Sequence, residues 1–195
     1  YGLGQLGDAE GRIYKDWAII DEIPHEATLR RYGLDFGYTN DPTAIVAIYY
    51  YNGGYILDEV VYQFRMTNKD IADKLLNEPS ALVMADSAEP KSIDELAQLG
   101  INITGVTKGQ GSVNQGIQYV QQQRVSVTKH SLNILKEYRN YLWITDKDGK
   151  IINEPQEFLN HCMDAVRYGM ESLRPVVQAT SDDVGGVLPY LPNLG

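Results

Sequence analysis

Cysteine and histidine are scarce in this chain: Cys162 stands alone, and the histidines are His25, His130 and His161. One cysteine cannot close an internal disulfide, and no Cys/His set has zinc-binding spacing, so neither covalent staples nor structural zinc stabilise the fold. Long apolar runs are missing too, and none approaches the ~18 residues needed to cross a bilayer. The opening residues, YGLGQLGDAEGR, lack the basic and then apolar order of a secretory signal. A soluble intracellular protein with no membrane partner is the expectation. Positive charge is in deficit, with 17 Lys+Arg against 26 Asp+Glu and a formal net charge of −9. That balance disfavours broad adhesion to DNA or to an anionic surface. It does not exclude a phosphate-bearing substrate, because bound divalent cations reverse the local field where a phosphate sits. A G-x-x-x-x-G-K-[ST] motif is also absent, and TKGQGS at 107–112 lacks the Gly-Lys-Ser/Thr step, so this chain alone is not expected to be a P-loop ATPase.

What is present suffices for one core. The 195 residues are 43% hydrophobic and include two Trp and 14 Tyr, which fits a single α/β domain without repeats. EGRIYKDWAIIDEIP reads as a short strand or arm ending at Pro24, and RRYGLDFG opens an apolar strand that runs into glycine. PTAIVAIYYY and GYILDEVVYQF are β-branched and aromatic runs separated by Asn52, Gly53 and Gly54. That is the composition of a tight hairpin turn, so the first three strands should form an antiparallel meander. Thr67 is placed to cap a helix through Asn77, with Ile71, Leu75 and Leu76 on its inner side and Pro79 ending it. ALVMAD is a short continuous apolar run, expected as a central strand buried on both faces and ending at Asp86. A helix from Pro90 to Leu99 then stops at Gly100.

INITGV and RVSVT predict two further strands, joined by a glycine-rich loop and a helix containing Ile117, Tyr119 and Val120. Residues 131–141 read as helix, and YLWITDKDGKIINEP as a hairpin turning at Asp148 and Gly149 with an exposed tip. Residues 157–173 place Phe158, Cys162, Ala165, Val166 and Gly169 or Met170 at helical spacing, with Asp164 beside the buried stripe. The expected organisation is an arm over 1–30, a domain over 31–174 and a loosely ordered tail over 175–195.

Three carboxylates carry the candidate chemistry. Asp35 lies on an apolar strand, Asp86 at the end of another and Asp164 on the last helix, where apolar side chains are the ordinary choice. Each has a plain structural explanation: a turn residue ahead of Gly37, a helix cap, and a partner for Arg167. Jointly they fit another. Ionised carboxylates in a core are costly unless paired, protonated or bound to metal. Hard cations such as Mg²⁺ and Mn²⁺ prefer such oxygens, and two of them together can clamp a phosphodiester during hydrolysis.

The ordered segments EGRIYKDW, YGLDFGYTNDPTA, VMADSAEPKSIDEL, VTKGQGSVNQGI and FLNHCMDAVRYGM resemble the C-terminal nuclease domain of the terminase large subunit of tailed double-stranded DNA phages, over roughly residues 11–172. The resemblance implies an α/β, RNase H-like fold: a central mixed sheet with its first three strands antiparallel, flanked by helices. It implies an endonuclease that cuts concatemeric double-stranded DNA with little sequence specificity during genome packaging. Two divalent cations, Mg²⁺ or Mn²⁺, would be held by Asp35, Asp86 and Asp164. One metal, held by Asp35 and Asp164, would activate water, and the other, held by Asp35 and Asp86, would stabilise the leaving 3′ oxygen. It also implies an upstream ATPase domain in the same polypeptide, joined through YGLGQLGDAEGR. Further expected partners are the portal protein and the small terminase subunit, in the cytoplasm of a bacterial host and transiently on the procapsid.

Supporting roles follow from chemistry. His161 lies three residues before Asp164, on the same helix face, where it can orient that carboxylate or meet a phosphate. Lys108 in the glycine-rich loop, and Lys147 and Lys150 at the hairpin tip, can reach DNA phosphates. Asp41 before Pro42 reads as a turn former. GLDFGYTN is also similar to the first phosphate loop of sugar kinases and actin-like ATPases, but 195 residues cannot supply the two lobes that enclose ATP there. Resolvase-like or transposase-like enzymes share the chemistry and lack the other matched segments. The remaining alternative is a docking module of the motor that has kept the fold and lost cleavage.

Overall fold

TAIVAIYYY alternates its side chains between two faces that are both covered, which places it at the middle of the molecule. In the computed structural model, which describes residues 11–175, this run is β3 (Thr43–Tyr51). It pairs antiparallel with β2 (Thr28–Asp35) and β4 (Gly54–Gln63). Asn52 and Gly53 turn between β3 and β4 with φ of 46° and 76°, the left-handed pair of a tight hairpin turn. The meander is as expected. Residues 1–10 and 176–195, and with them most of the anticipated tail, lie outside the described residues.

The seven-stranded mixed sheet also holds β1 (Ala18–Ile20), β5 (Val83–Ala85), β6 (Ile103–Gly105) and β7 (Val125–Thr128). Its order is β1-β7-β4-β3-β2-β5-β6. β5 runs parallel to β2 and β6, and β7 runs parallel to β4 and β1. One face is covered by α1 (Asn68–Leu76) and α2 (Pro90–Gln98). There Ile45 and Ala47 pack with Leu34, Ile71, Leu75, Val83 and Leu96. The other face is covered by α3 (Ser112–Gln121), α4 (Leu132–Asn140) and α5 (His161–Glu171). There Val46 and Ile48 pack with Ile117, Val120, Ile134, Cys162 and Val166. A separate hairpin pairs β8 (Trp143–Thr145) with β9 (Ile151–Pro155).

Local signals hold at α1, where Thr67 and Asp70 form a capping box and Asn77 closes the C-terminus. Three expectations are corrected. The domain does not start at 31: Ile13 and Tyr14 are buried in the core, and β1 forms an edge of the main sheet through a parallel pairing with β7. Leu76 is 58% exposed rather than on the inner face of α1. The last helix begins at His161, not at 157, because Leu159 takes a left-handed φ of 51°. Phe158 therefore falls outside the helix and is 69% exposed instead of joining the buried stripe.

Candidate active site

Strand pairing brings the first two carboxylates together. β2 and β5 are parallel neighbours with Leu34 opposite Ala85, and Asp35 and Asp86 each follow one of these paired residues. Both therefore emerge at the carboxyl ends of adjacent strands, the customary place for a site in such sheets. The third element is α5, which crosses β2 at unusually close range. A Cβ built on Gly33 would stand 1.7 Å from the Ala165 carbonyl oxygen, so glycine is required there for the helix to seat. Gly33 and Asp35 share a face of β2, so this contact sets α5 beside Asp35.

α5 then presents His161, Asp164 and Tyr168, one above another at intervals of three and four residues. His161 Nδ1 lies 3.0 Å from Asp35 Oδ2, and its Nε2 lies 3.5 Å from Asp41. Asp164 accepts from the Arg167 guanidinium at 2.9 Å and from the Asn160 side-chain amide at 2.9 Å. The Tyr168 hydroxyl donates to Asp86 at 3.4 Å, and Arg167 stacks over the Tyr168 ring. Asp86 is paired with Lys108 from the loop before α3, and it also accepts the Ala88 N–H at 2.8 Å. Around Asp35, the loop to β3 is pinned by the Thr43 hydroxyl, which donates to the Gly37 carbonyl at 2.9 Å.

The electrostatics are those of crowded, desolvated carboxylates. Burial pushes Asp35 up to about 6 against the His161 hydrogen bond, and the charges of Asp164 and Asp86 push the same way. Burial likewise lifts Asp164 above the usual carboxylate range despite Arg167. Burial raises Asp86 as well, but Lys108 and the Ala88 amide outweigh it and hold this carboxyl below its ordinary value. The Asp35 hydrogen bond raises His161. An open groove of about 740 Å³ reaches Asp164 and Arg167 between Val113 and Asn114 on one side and Pro155 and Phe158 on the other.

Asp35, Asp86, Asp164, His161 and Lys108 are thus brought together at one end of the sheet. Asp41 lies in the bend before β3, as a turn former should, and also faces His161. Lys147 and Lys150 sit at the exposed tip of the β8–β9 hairpin. His161 contacts Asp35 rather than Asp164: on the helix face the two are neighbours, but the close seating of α5 turns the imidazole toward the strand. Arg167, which the sequence offers only as a structural partner of Asp164, and Tyr168, which it does not mark, both join the site. Their signal was their place in HCMDAVRYGM, three and four residues after Asp164.

A divalent cation suits the chemistry of this donor set, since three carboxylates supply hard oxygens and a cation would relieve the raised pKa values of Asp35 and Asp164. The set is not a ready cage. Among the described residues no group of three or more His, Cys, Asp or Glu stands close enough to hold a metal. Asp86 would have to release Lys108 to act as a ligand.

A mixed sheet with carboxylates at the ends of two parallel neighbours and a third on the packed helix α5 defines an RNase H-like domain. Residues 35–172 match the family model described as the terminase RNase H-like domain, and the chain belongs to that family. The large terminase subunit of Bacillus phage SPP1 is 39% identical over 183 residues, covering 85% of this chain and 43% of that protein. The PBSX phage terminase large subunit of Bacillus subtilis is 30% identical over 151 residues, covering 72% of this chain and 34% of that protein. The chain thus spans less than half the length of these relatives. The crystal structure of the SPP1 large terminase nuclease domain with bound Mn superposes with a TM-score of 0.70 at 30% identity, over 82% of this chain and 97% of that one. The P22 large terminase nuclease domain shares the fold, with a TM-score of 0.60 at 16% identity over 87% of this chain and 100% of that one.

Proposed function

We propose that this chain is the nuclease domain of a phage or prophage packaging motor, an endodeoxyribonuclease that cuts concatemeric double-stranded DNA with little sequence specificity. The observation that carries the reading is the meeting of Asp35, Asp86 and Asp164, from two strands and a helix far apart in sequence, at one end of the sheet, where an open groove reaches Asp164. Asp35, Asp86 and Asp164 would hold two divalent ions, Mg²⁺ or Mn²⁺. Such ions supply activation of water and neutralisation of charge on the leaving 3′ oxygen.

The chain's own residues do the rest. His161 fixes the rotamer of Asp35 through its Nδ1 contact and holds a proton beside it. Arg167 and Asn160 fix Asp164. Lys108, held at Asp86, is free to turn to a phosphate once a stronger cation takes its place. Lys147 and Lys150 would meet the duplex backbone from the hairpin tip. With no groove-reading motif, contacts to the backbone position the cut without reading sequence. In the intact motor an ATPase domain of the same polypeptide, the portal and the small subunit would hold DNA at this weakly binding, acidic domain, in the host cytoplasm and on the procapsid.

Supercoiled plasmid incubated with the purified chain tests this reading. Nicking and linearisation with Mn²⁺ or Mg²⁺, and none with EDTA, are expected. A docking module without cleavage is the second reading, favoured by the absence of a ready ligand cage among the described residues and by the pairing of each carboxylate with His161, Lys108 or Arg167. Folded protein that cuts under no metal condition would establish it.

A further inference from the structure

The first turn of α5 has an unusual cap. A helix leaves its first backbone N–H groups without partners in its own ladder, and an N-cap side chain normally takes one of them. Asn160 occupies the N-cap and is chemically able to do this, yet it makes no cap bond. Its side-chain amide is spent on Asp164 instead. The orphan donors are met from another helix. Glu137 of α4 accepts the Cys162 N–H at 2.6 Å and the Met163 N–H at 3.2 Å on Oε2, and the Tyr62 hydroxyl of β4 donates to its Oε1 at 3.0 Å.

Glu137 is fully buried. A carboxylate in such a place is costly unless every oxygen is satisfied, and an apolar residue would pack at less cost. What the acid provides is a three-way tie between β4, α4 and the positive end of α5. The tie acts on the turn that carries the site: His161 precedes Cys162, and Asp164 follows Met163. A slide or rotation of this turn by an ångström would open the 3.0 Å contact between His161 and Asp35, and misplacement on that scale is worth about a hundredfold in rate.

We propose that Glu137 is a positioning residue of the site: by clamping the N-terminus of α5 from α4, it sets where His161 meets Asp35 and where Asp164 faces the groove. The inference rests on the nuclease reading for its effect on rate, and on geometry alone for its effect on His161.

The test compares Glu137→Leu, Glu137→Asp and Glu137→Gln with the wild-type chain, each first checked for folding by circular dichroism. In metal-free protein, the ¹⁵N resonances of the His161 ring report its bond to Asp35, and amide exchange of Cys162 and Met163 reports the clamp. E137L has no acceptor, and E137D is one methylene too short to reach both Tyr62 and the helix. Both should lose Cys162 and Met163 protection and shift the His161 ring resonances. In plasmid cleavage, kcat should fall about a hundredfold in both variants, with KM for DNA within about twofold of wild type. E137Q keeps an acceptor oxygen toward α5 and turns its NH2 to donate to the Tyr62 hydroxyl oxygen, so it should restore the His161 signature and most of kcat. Should E137L fail to fold, E137D carries the test. A folded E137L or E137D with wild-type His161 resonances and wild-type kcat overturns the proposal. A wild-type chain that cuts nothing overturns the nuclease reading, while the metal-free resonances still decide the role of Glu137.

Discussion

Arg167 offers the sharpest test of how the site is held. Its side chain is 8% exposed and donates to Asp164, itself 19% exposed, at 2.9 Å. Arg167→Met keeps most of the apolar stem and removes the guanidinium, which leaves a buried carboxylate without its counter-charge. Breaking a buried pair from one side costs about 3–5 kcal/mol. At about 2–4 °C of Tm per kcal/mol for a domain of this size, the metal-free variant should melt roughly 6–20 °C below wild type at pH 8. The sign with pH follows from Asp164, whose carboxyl is raised by burial even with Arg167 present and rises further without it. A group that holds its proton more tightly folded than unfolded costs stability only when ionised. The loss should therefore be largest at pH 8 and shrink toward pH 4, near the unfolded carboxyl range of about 3.9. Adding Asp164→Asn should recover much of it, since the charge left unpaired is gone. Thermal melts at pH 4, 6 and 8 measure all of this; a single variant within 2 °C of wild type at pH 8, on the scale of ~1 kcal/mol or less, would show that the guanidinium does not hold Asp164 as a buried counter-charge.

Gly33→Ala should separate α5 from β2, because the new Cβ would meet the Ala165 carbonyl oxygen at 1.7 Å. Stability should fall by well over the ~1–3 kcal/mol of ordinary overpacking, and a variant that melts like wild type would show that the helix seats elsewhere. Asp35 must shed its proton to serve a cation, and its value of about 6 predicts that calorimetric Mn²⁺ affinity rises about tenfold from pH 5 to pH 7; a flat profile counts against Asp35 as a ligand. Lys108→Met removes the cation paired with Asp86, so Mn²⁺ affinity should rise roughly two- to fivefold, the scale of a partly exposed ion pair. A lysine that serves only DNA phosphate would leave metal affinity unchanged and raise KM.

Much of the fold was legible because its signals are local. Asn52-Gly53 set the hairpin, Thr67 caps the start of α1, and the apolar runs 43–48 and 83–85 mark strands covered on both sides. What was not legible is set by distant pairing. Nothing near Ala18–Ile20 announces that the segment joins β7, more than a hundred residues later, so the domain was expected to begin too late. The helical period runs back through Phe158, but the left-handed Leu159 breaks the helix first. The three aspartates were visible one by one, as carboxylates in apolar settings. Their company was not: His161 turns to Asp35 because Gly33 lets α5 come close, and Glu137 and Tyr168 reach the site only through the packing of α4 and α5.

On the proposed reading, Asp35, Asp86 and Asp164 together make a metal-dependent nuclease. Plasmid cleavage in Mn²⁺ by Asp35→Asn, Asp86→Asn and Asp164→Asn, run beside wild type with folding confirmed, tests it most directly. Each variant should lose activity on the order of a thousandfold or more; wild-type rates in any one of them would contradict the account.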